Sequence, residues 1–122
     1  MVKNMLNRAV VLILLCVVIY SSLYSRKLEH KTKQIKGQKY YINRCSSCHG
    51  SGKIGGNIYS MFEWQDIFAN SGKELLWLHK DEKETDMVRI YIRSEEFKKE
   101  SKYILRFIQE FAYDSDKIPT CN

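Results

Sequence analysis

Cys45-Ser46-Ser47-Cys48-His49 is the stretch that most narrows what this chain can fold into. Two thiols three positions apart, with an imidazole directly behind the second, gather three strong donors on a short piece of backbone. Whatever they hold must sit against the rest of a small domain. The chain has 122 residues, and an apolar N-terminal run leaves roughly a hundred for one folded unit. A core of that size commonly gains stability from a disulfide, a metal or a bound group. The other two cysteines, Cys16 and Cys121, lie towards the two ends of the chain, so the four do not form a disulfide framework.

Cys-x-x-Cys-His is the attachment signature of a c-type haem. The spacing lets Cys45 and Cys48 each form a thioether with one haem vinyl group, and it brings His49 to where its imidazole reaches the iron as an axial ligand. Gly50 follows, where the backbone can pass the porphyrin edge without a side chain. Zinc would need two further ligands, drawn from His30, His79 or Cys121, because there is no second Cys-x-x-Cys. A thioredoxin-like dithiol calls for alternating strands and helices, a pattern this chain lacks. One covalent haem c, held by Cys45, Cys48 and His49, is the reading that agrees with an export segment ahead of the motif.

That segment is Ala9 to Tyr24, sixteen uncharged residues behind Lys3 and Arg8, with Ser21 and Ser22 as the strongly polar members. Its length falls between a signal core and a spanning helix. A small-x-small cleavage site is poor, since each choice near Ser21 to Ser25 puts Leu or Tyr at a critical position, and retention as an anchor is favoured. Cys16 follows Leu14-Leu15 rather than the small residue that lipoprotein processing prefers, so it reads as an apolar membrane residue. More Lys and Arg follow the segment than precede it, which by the positive-inside rule opposes export. The cysteine motif outweighs that signal, and the domain is placed at the periplasmic or extracytoplasmic face of the membrane, anchored by its N-terminus.

The organisation expected from this is a signal or anchor over 1–24, a basic linker over 25–33, a haem domain over 34–113 and an irregular tail over 114–122. A first helix runs through Tyr40, Tyr41 and Ile42 into Cys45. The segment Gly50 to Asn57, with Gly50, Gly52, Gly55 and Gly56, reads as loop. Phe62 to Phe68 and Lys73 to His79 read as two short helices parted by Asn70-Ser71-Gly72, and a charged turn covers Lys80 to Asp86. Met87 to Ile92 fits both helical and strand spacing and is assigned to helix. Phe97, Ile104, Phe107, Ile108 and Phe111 share one face of a last helix opening near Ser94-Glu95-Glu96.

The formal charge of +6 is unevenly spread. Between residues 26 and 53 stand Arg26, Lys27, Lys31, Lys33, Lys36, Lys39, Arg44 and Lys53 against Glu29 alone, while residues 54–122 are slightly acidic. Such a patch attracts an acidic protein surface or anionic lipid, or is simply a solvated linker. No nucleic-acid-binding motif accompanies it, and no nucleic-acid partner is expected.

The residues Gly37, Tyr41, Cys45, Cys48, His49 and Gly50, with three positions between each of the first three, resemble the class I cytochrome c family over roughly residues 34–112. The resemblance implies an all-α, cytochrome c-like domain around one haem, here preceded by the N-terminal signal-anchor helix. It also implies that the helix bearing Gly37 crosses the terminal helix near Ile104 to Phe111, with Gly37 allowing close approach. The family's usual activity is single-electron transfer. Its members commonly carry a proline shortly after the haem motif and a Met-Pro pair before the last helix, and this chain has neither.

The second axial ligand is therefore open. His79 follows Leu75 and Leu76 by four and three residues and would share their helical face. Met87 lies at about the family's separation from the motif, flanked by Asp86 and Arg89. Met61, close behind His49, and an empty sixth position are the other options. Tyr40, Tyr41, Phe62, Trp64, Trp77 and Phe107 are candidates to wall the haem. The resulting expectation is an electron carrier without a reaction of its own, serving redox proteins in a respiratory chain. Its partners would dock through an acidic surface on Lys36, Lys39, Arg44 and Lys53, an attraction that salt screens. The alternatives are a haem-based gas-binding module with an open sixth position and a haem-free structural or zinc-binding membrane protein.

Overall fold

A computed structural model describes residues 2–116, with the backbone alone for residues 2–6 and 30. The protein is all-helical, and no strand occurs among the described residues. Its elements are α1 (Val2–Arg44), α2 (Ser46–His49), α3 (Gly52–Gly56), α4 (Met61–Leu78), a 3₁₀ turn (Lys83–Thr85), α5 (Asp86–Ile92) and α6 (Glu95–Gln109). The chain divides into two compact units between Lys33 and Gln34.

The first unit is helical from Val2 to Lys33. It contains an 18-residue stretch of mean hydropathy 2.0, long and apolar enough to cross a membrane. Val10 to Leu15 and Val17 to Ile19 all stand exposed. Ser21 and Ser22 turn their hydroxyls back to the Val18 carbonyl, both at 2.9 Å, so the polar members of the run are satisfied within the helix. The basic linker is also helical, because residues 25–36 contain neither Pro nor Gly and hold four Lys together with Arg26, Leu28 and Gln34, all good helix formers. Lys33 pairs with Glu29 one turn earlier.

In the second unit the core is formed by Tyr41, Trp64, Ile67, Ile104, Phe107, Ile108 and Ala112. Gly37 brings α1 against α6: a Cβ there would overlap the Tyr103 carbonyl oxygen and lie 2.8 Å from Phe107 Cβ. Tyr41, one helical turn on, then packs on Phe107 with ring centres 5.4 Å apart. The close approach expected of Gly37 is thus present. The last helix opens as expected, with Ser94 Oγ accepting the Phe97 N–H at 3.2 Å and Phe97, Ile104, Phe107 and Ile108 buried.

The helix α4 changes direction at the predicted break. Asn70, Ser71 and Gly72 take φ of 50°, 57° and 73°, and Gly72 packs so tightly that a Cβ would lie 2.8 Å from the Phe97 ring. Expectation and structure differ over the glycine-rich segment, read as loop, which instead forms α3. Gly52, Gly55 and Gly56 are buried, and Cβ atoms on Gly52 and Gly56 would meet Phe107 and Phe111 within 2.6–2.8 Å. These glycines serve close packing of a helical turn under α6. Of the expected irregular tail, Asp114 and Asp116 are in turns and Ser115 has no regular structure; the rest, with Cys121, lies outside the described residues.

The start of α4 is held by a capping box. Ser60 Oγ accepts the Glu63 N–H at 3.1 Å and the Glu63 carboxylate accepts the Ser60 N–H at 2.8 Å. Ser60→Ala is expected to cost about 1 kcal/mol, read as a fall in melting temperature of roughly 4–8 °C. The hydrogen bonds from Ser60, joined by one from the Tyr113 hydroxyl, hold the Glu63 carboxyl below the usual carboxylate range. Its contribution to stability is therefore present above the unfolded pKa and is lost as pH falls through the folded one. Ser60→Ala should weaken that acid dependence.

Candidate functional site

The helix α1 ends one residue before the motif. The Cys45 N–H still reaches the Tyr41 carbonyl at 2.8 Å, and the Cys45 carbonyl accepts from the His49 N–H at 3.0 Å, so α2 begins as a new turn. The i, i+3 relation brings the two thiols to one side of this turn. Gly50 follows at φ 72°, a left-handed conformation that glycine adopts without strain, and its carbonyl accepts the Tyr41 hydroxyl at 3.1 Å. Both thiols are free, with Cys45 partly buried and Cys48 exposed. Burial pushes the Cys45 thiol up to about 12, against the opposing charge of Arg44.

The motif faces a cavity of about 390 Å³. Cys45, Cys48 and His49 line it together with Leu75, Leu78 and His79, and its inner walls include Trp64, Phe68, Tyr91 and Phe97. Cys48 and His49 are exposed, so the cavity is open to solvent on their side. Trp64 Nε1–H donates to the Gly56 carbonyl at 2.8 Å, which satisfies its polar atom and leaves an apolar ring in the wall.

The His49 and His79 rings face each other within this cavity, with centres 5.9 Å apart and planes at 82°. His79 Nδ1 lies 2.7 Å from the Leu75 carbonyl. A carbonyl only accepts, so Nδ1 carries a proton and Nε2 is the ring nitrogen left to face the cavity's contents. The His79 carbonyl in turn accepts from Thr85 Oγ1 at 2.7 Å and from Arg89 Nη1 at 2.8 Å. His49 is held below the ordinary imidazole range by burial and by His79, with Glu82 opposing. This favours the neutral imidazole of His49.

The sequence candidates separate here. Cys45, Cys48, His49 and His79 come together in one cavity. Met87 stands 75% exposed on α5, outside the residues that line the cavity, and Met61 is exposed at the first residue of α4. Among the proposed aromatic walls, Tyr41 and Trp64 do line the cavity. Phe62 and Trp77 are exposed, because each falls on the outer face of α4, while Tyr40 and Phe107 pack in or against the core. Of the basic residues, Arg44 is engaged with Glu100 at 3.3 Å and lies over the Tyr91 ring. Lys36 and Lys39 are exposed.

Thr85 and Arg89 were not legible as site residues. Their one sequence signal is a spacing of four across the start of α5, where a hydroxyl and a guanidinium meet on one helical face. Among the described residues no group of three or more His, Cys, Asp or Glu side chains is placed to hold a metal ion. Compared with family models, curated proteins and solved structures, the chain matches none.

Proposed function

We propose that this protein is a membrane-anchored, class I cytochrome c-like electron carrier. It holds one covalent haem through Cys45 and Cys48, with His49 and His79 as the two axial ligands. The observation that carries the reading is the pair of imidazoles facing each other at 5.9 Å in the cavity that also receives both thiols. Two imidazoles sharing one first-row metal ion, each through a bond of about 2 Å, have ring centres about 6 Å apart. The donor set fits the group as well: thioether attachment needs two free thiols on one turn, and an iron whose equatorial donors come from the porphyrin needs only two from the protein.

When bound, haem supplies an iron that exchanges one electron between ferrous and ferric states. The protein's own residues bind, orient and shield it. The thiols anchor the ring edge, and the Leu75 carbonyl holds the His79 proton at Nδ1, which orients the ring and raises its basicity as a ligand. The walls of Trp64, Phe68 and Phe97 exclude water from the inner side. The open side at Cys48 and His49 is where a redox partner can approach. An acidic partner surface is matched by Lys36 and Lys39, and the domain is assigned to the extracytoplasmic face. Histidine rather than methionine at the sixth position implies a reduction potential at the low end for c-type centres.

The test is the full chain produced with c-type maturation machinery. A reduced pyridine haemochrome of c type is expected, with low-spin spectra in both oxidation states. His79→Ala should lose the low-spin band, and Met87→Ala should keep it. Absence of covalent haem would reject the electron-carrier reading, and the reverse result for the two variants would reject His79 as ligand. Tight carbon monoxide binding by reduced wild type would favour gas binding instead.

A further inference from the structure

The distal side carries a feature beyond the ligand itself. His79 is the residue at which α4 ends, and the carbonyls of a helix's last turn have no partner within the helix. Its carbonyl is taken up from α5 and the turn before it. Arg89 Nη1 donates to the His79 carbonyl at 2.8 Å, to the Glu82 carbonyl at 3.1 Å and to Thr85 Oγ1 at 2.6 Å. Thr85 Oγ1 also lies 2.7 Å from both the His79 and the Glu82 carbonyls. Thr85 is 3% exposed, and the Arg89 side chain, paired through Nη2 with Asp86, is 20% exposed.

We propose that Arg89 and Thr85 are positioning residues for His79: they clamp its main chain so that its imidazole stays turned towards His49 and the sixth iron position stays closed. This rests on the reading of His79 as an axial ligand. One guanidinium nitrogen and one hydroxyl gather the oxygens of residues 79, 82 and 85, so the whole turn between α4 and α5 closes around them. The clamp has a firm base. Ile92, three residues beyond Arg89 on α5, is 4% exposed, and Tyr91 packs on Phe97 with ring centres 5.5 Å apart.

His79 is thereby held at three points: its N–H on the Leu76 carbonyl at 3.3 Å, its Nδ1 on Leu75, and its carbonyl on α5 and the preceding turn. The first two are within its own helix and travel with it. The third is the hydrogen-bonded tie from the helix end to the next element, beside the packing of Leu75 on the core. Without it, the last turn of α4 can fray and carry the imidazole away.

The experiment uses the full haem-loaded chain as wild type, Arg89→Gln, Arg89→Lys, Thr85→Val and His79→Ala. Gln109→Ala serves as the control, since it removes a hydrogen bond to the Met61 carbonyl at the far end of α4 without touching His79, α5 or the cavity walls. The readouts are the high-spin fraction and the carbon monoxide affinity of the reduced protein. Arg89→Gln and Thr85→Val should each show a high-spin fraction and bind carbon monoxide about tenfold more tightly or better, as expected for loss of a charge-assisted or buried hydrogen bond. Arg89→Lys should recover part of the closed state, and Gln109→Ala should match wild type. Thr85→Val leaves the Arg89–Asp86 pair in place, so it reports even where Arg89→Gln accumulates poorly.

Low-spin, carbon monoxide-inert spectra in both Arg89→Gln and Thr85→Val would overturn the proposal. An equal opening in Gln109→Ala would also overturn it, by showing general loosening. An unchanged low-spin spectrum in His79→Ala would defeat the ligand assignment beneath it, and that failure is separately visible.

Discussion

The double variant Cys45→Ala, Cys48→Ala is expected to retain no haem through acid and organic extraction, while each single variant retains it through the remaining thioether. The two sulfurs are the only protein atoms of the proposed site that can bond the porphyrin covalently, so the loss should be complete. It should also cost stability. The cavity they face is about 390 Å³, and without a bound group its apolar inner walls lose their packing partners. Small domains have net stabilities of about 5–15 kcal/mol, so the double variant should melt with low cooperativity by circular dichroism. The singles should differ, because Cys45 packs against the core whereas Cys48 is exposed; Cys45→Ala should melt lower than Cys48→Ala. Covalent haem persisting in the double variant would rule out the attachment proposed here.

Gly37→Val should destabilise the domain by about 3 kcal/mol, the upper end of the usual cost of overpacking. The obstructing atoms decide this. A Cβ at residue 37 would overlap the Tyr103 carbonyl oxygen and approach Phe107 Cβ at 2.8 Å, and a backbone carbonyl in a helix cannot turn aside as a side chain does. The helices must separate, which also unseats Tyr41 from Phe107 and its hydroxyl from the Gly50 carbonyl, so the motif loses its support. The expected fall in melting temperature is roughly 12–24 °C, with a matching loss of haem incorporation. Gln38→Ala, at the exposed neighbouring position, should change stability by less than about 0.5 kcal/mol. Equal melting of the two variants would show that the crossing at Gly37 is not a stabilising contact.

These two predictions also mark how far the chain could be read without coordinates. The motif, Gly37 and α6 were legible because each is a local pattern with a local cause: donor spacing, a missing Cβ one turn before an aromatic, and apolar residues repeating on one helical face. The break at Asn70-Ser71-Gly72 was legible for the same reason, since these residues tolerate the left-handed backbone they adopt. The glycine-rich segment misled. Glycine in sequence signals backbone freedom, whereas Gly52, Gly55 and Gly56 are needed for the closeness of Phe107, Tyr41 and Phe111, which are distant in the chain.

By itself the amino-acid order determined an apolar N-terminal helix, a short run carrying two thiols and an imidazole, and a helical domain behind it, because hydrophobic period and donor spacing are properties of neighbouring residues. The choice between His79 and Met87 as partner of His49 had no such local cause. Both lie on helical segments at workable separations, and tertiary packing turned one towards the cavity and left the other 75% exposed. Thr85 and Arg89 became part of the site in the same way. Their bonds to the His79 carbonyl form only once the end of α4 and the start of α5 have been brought together.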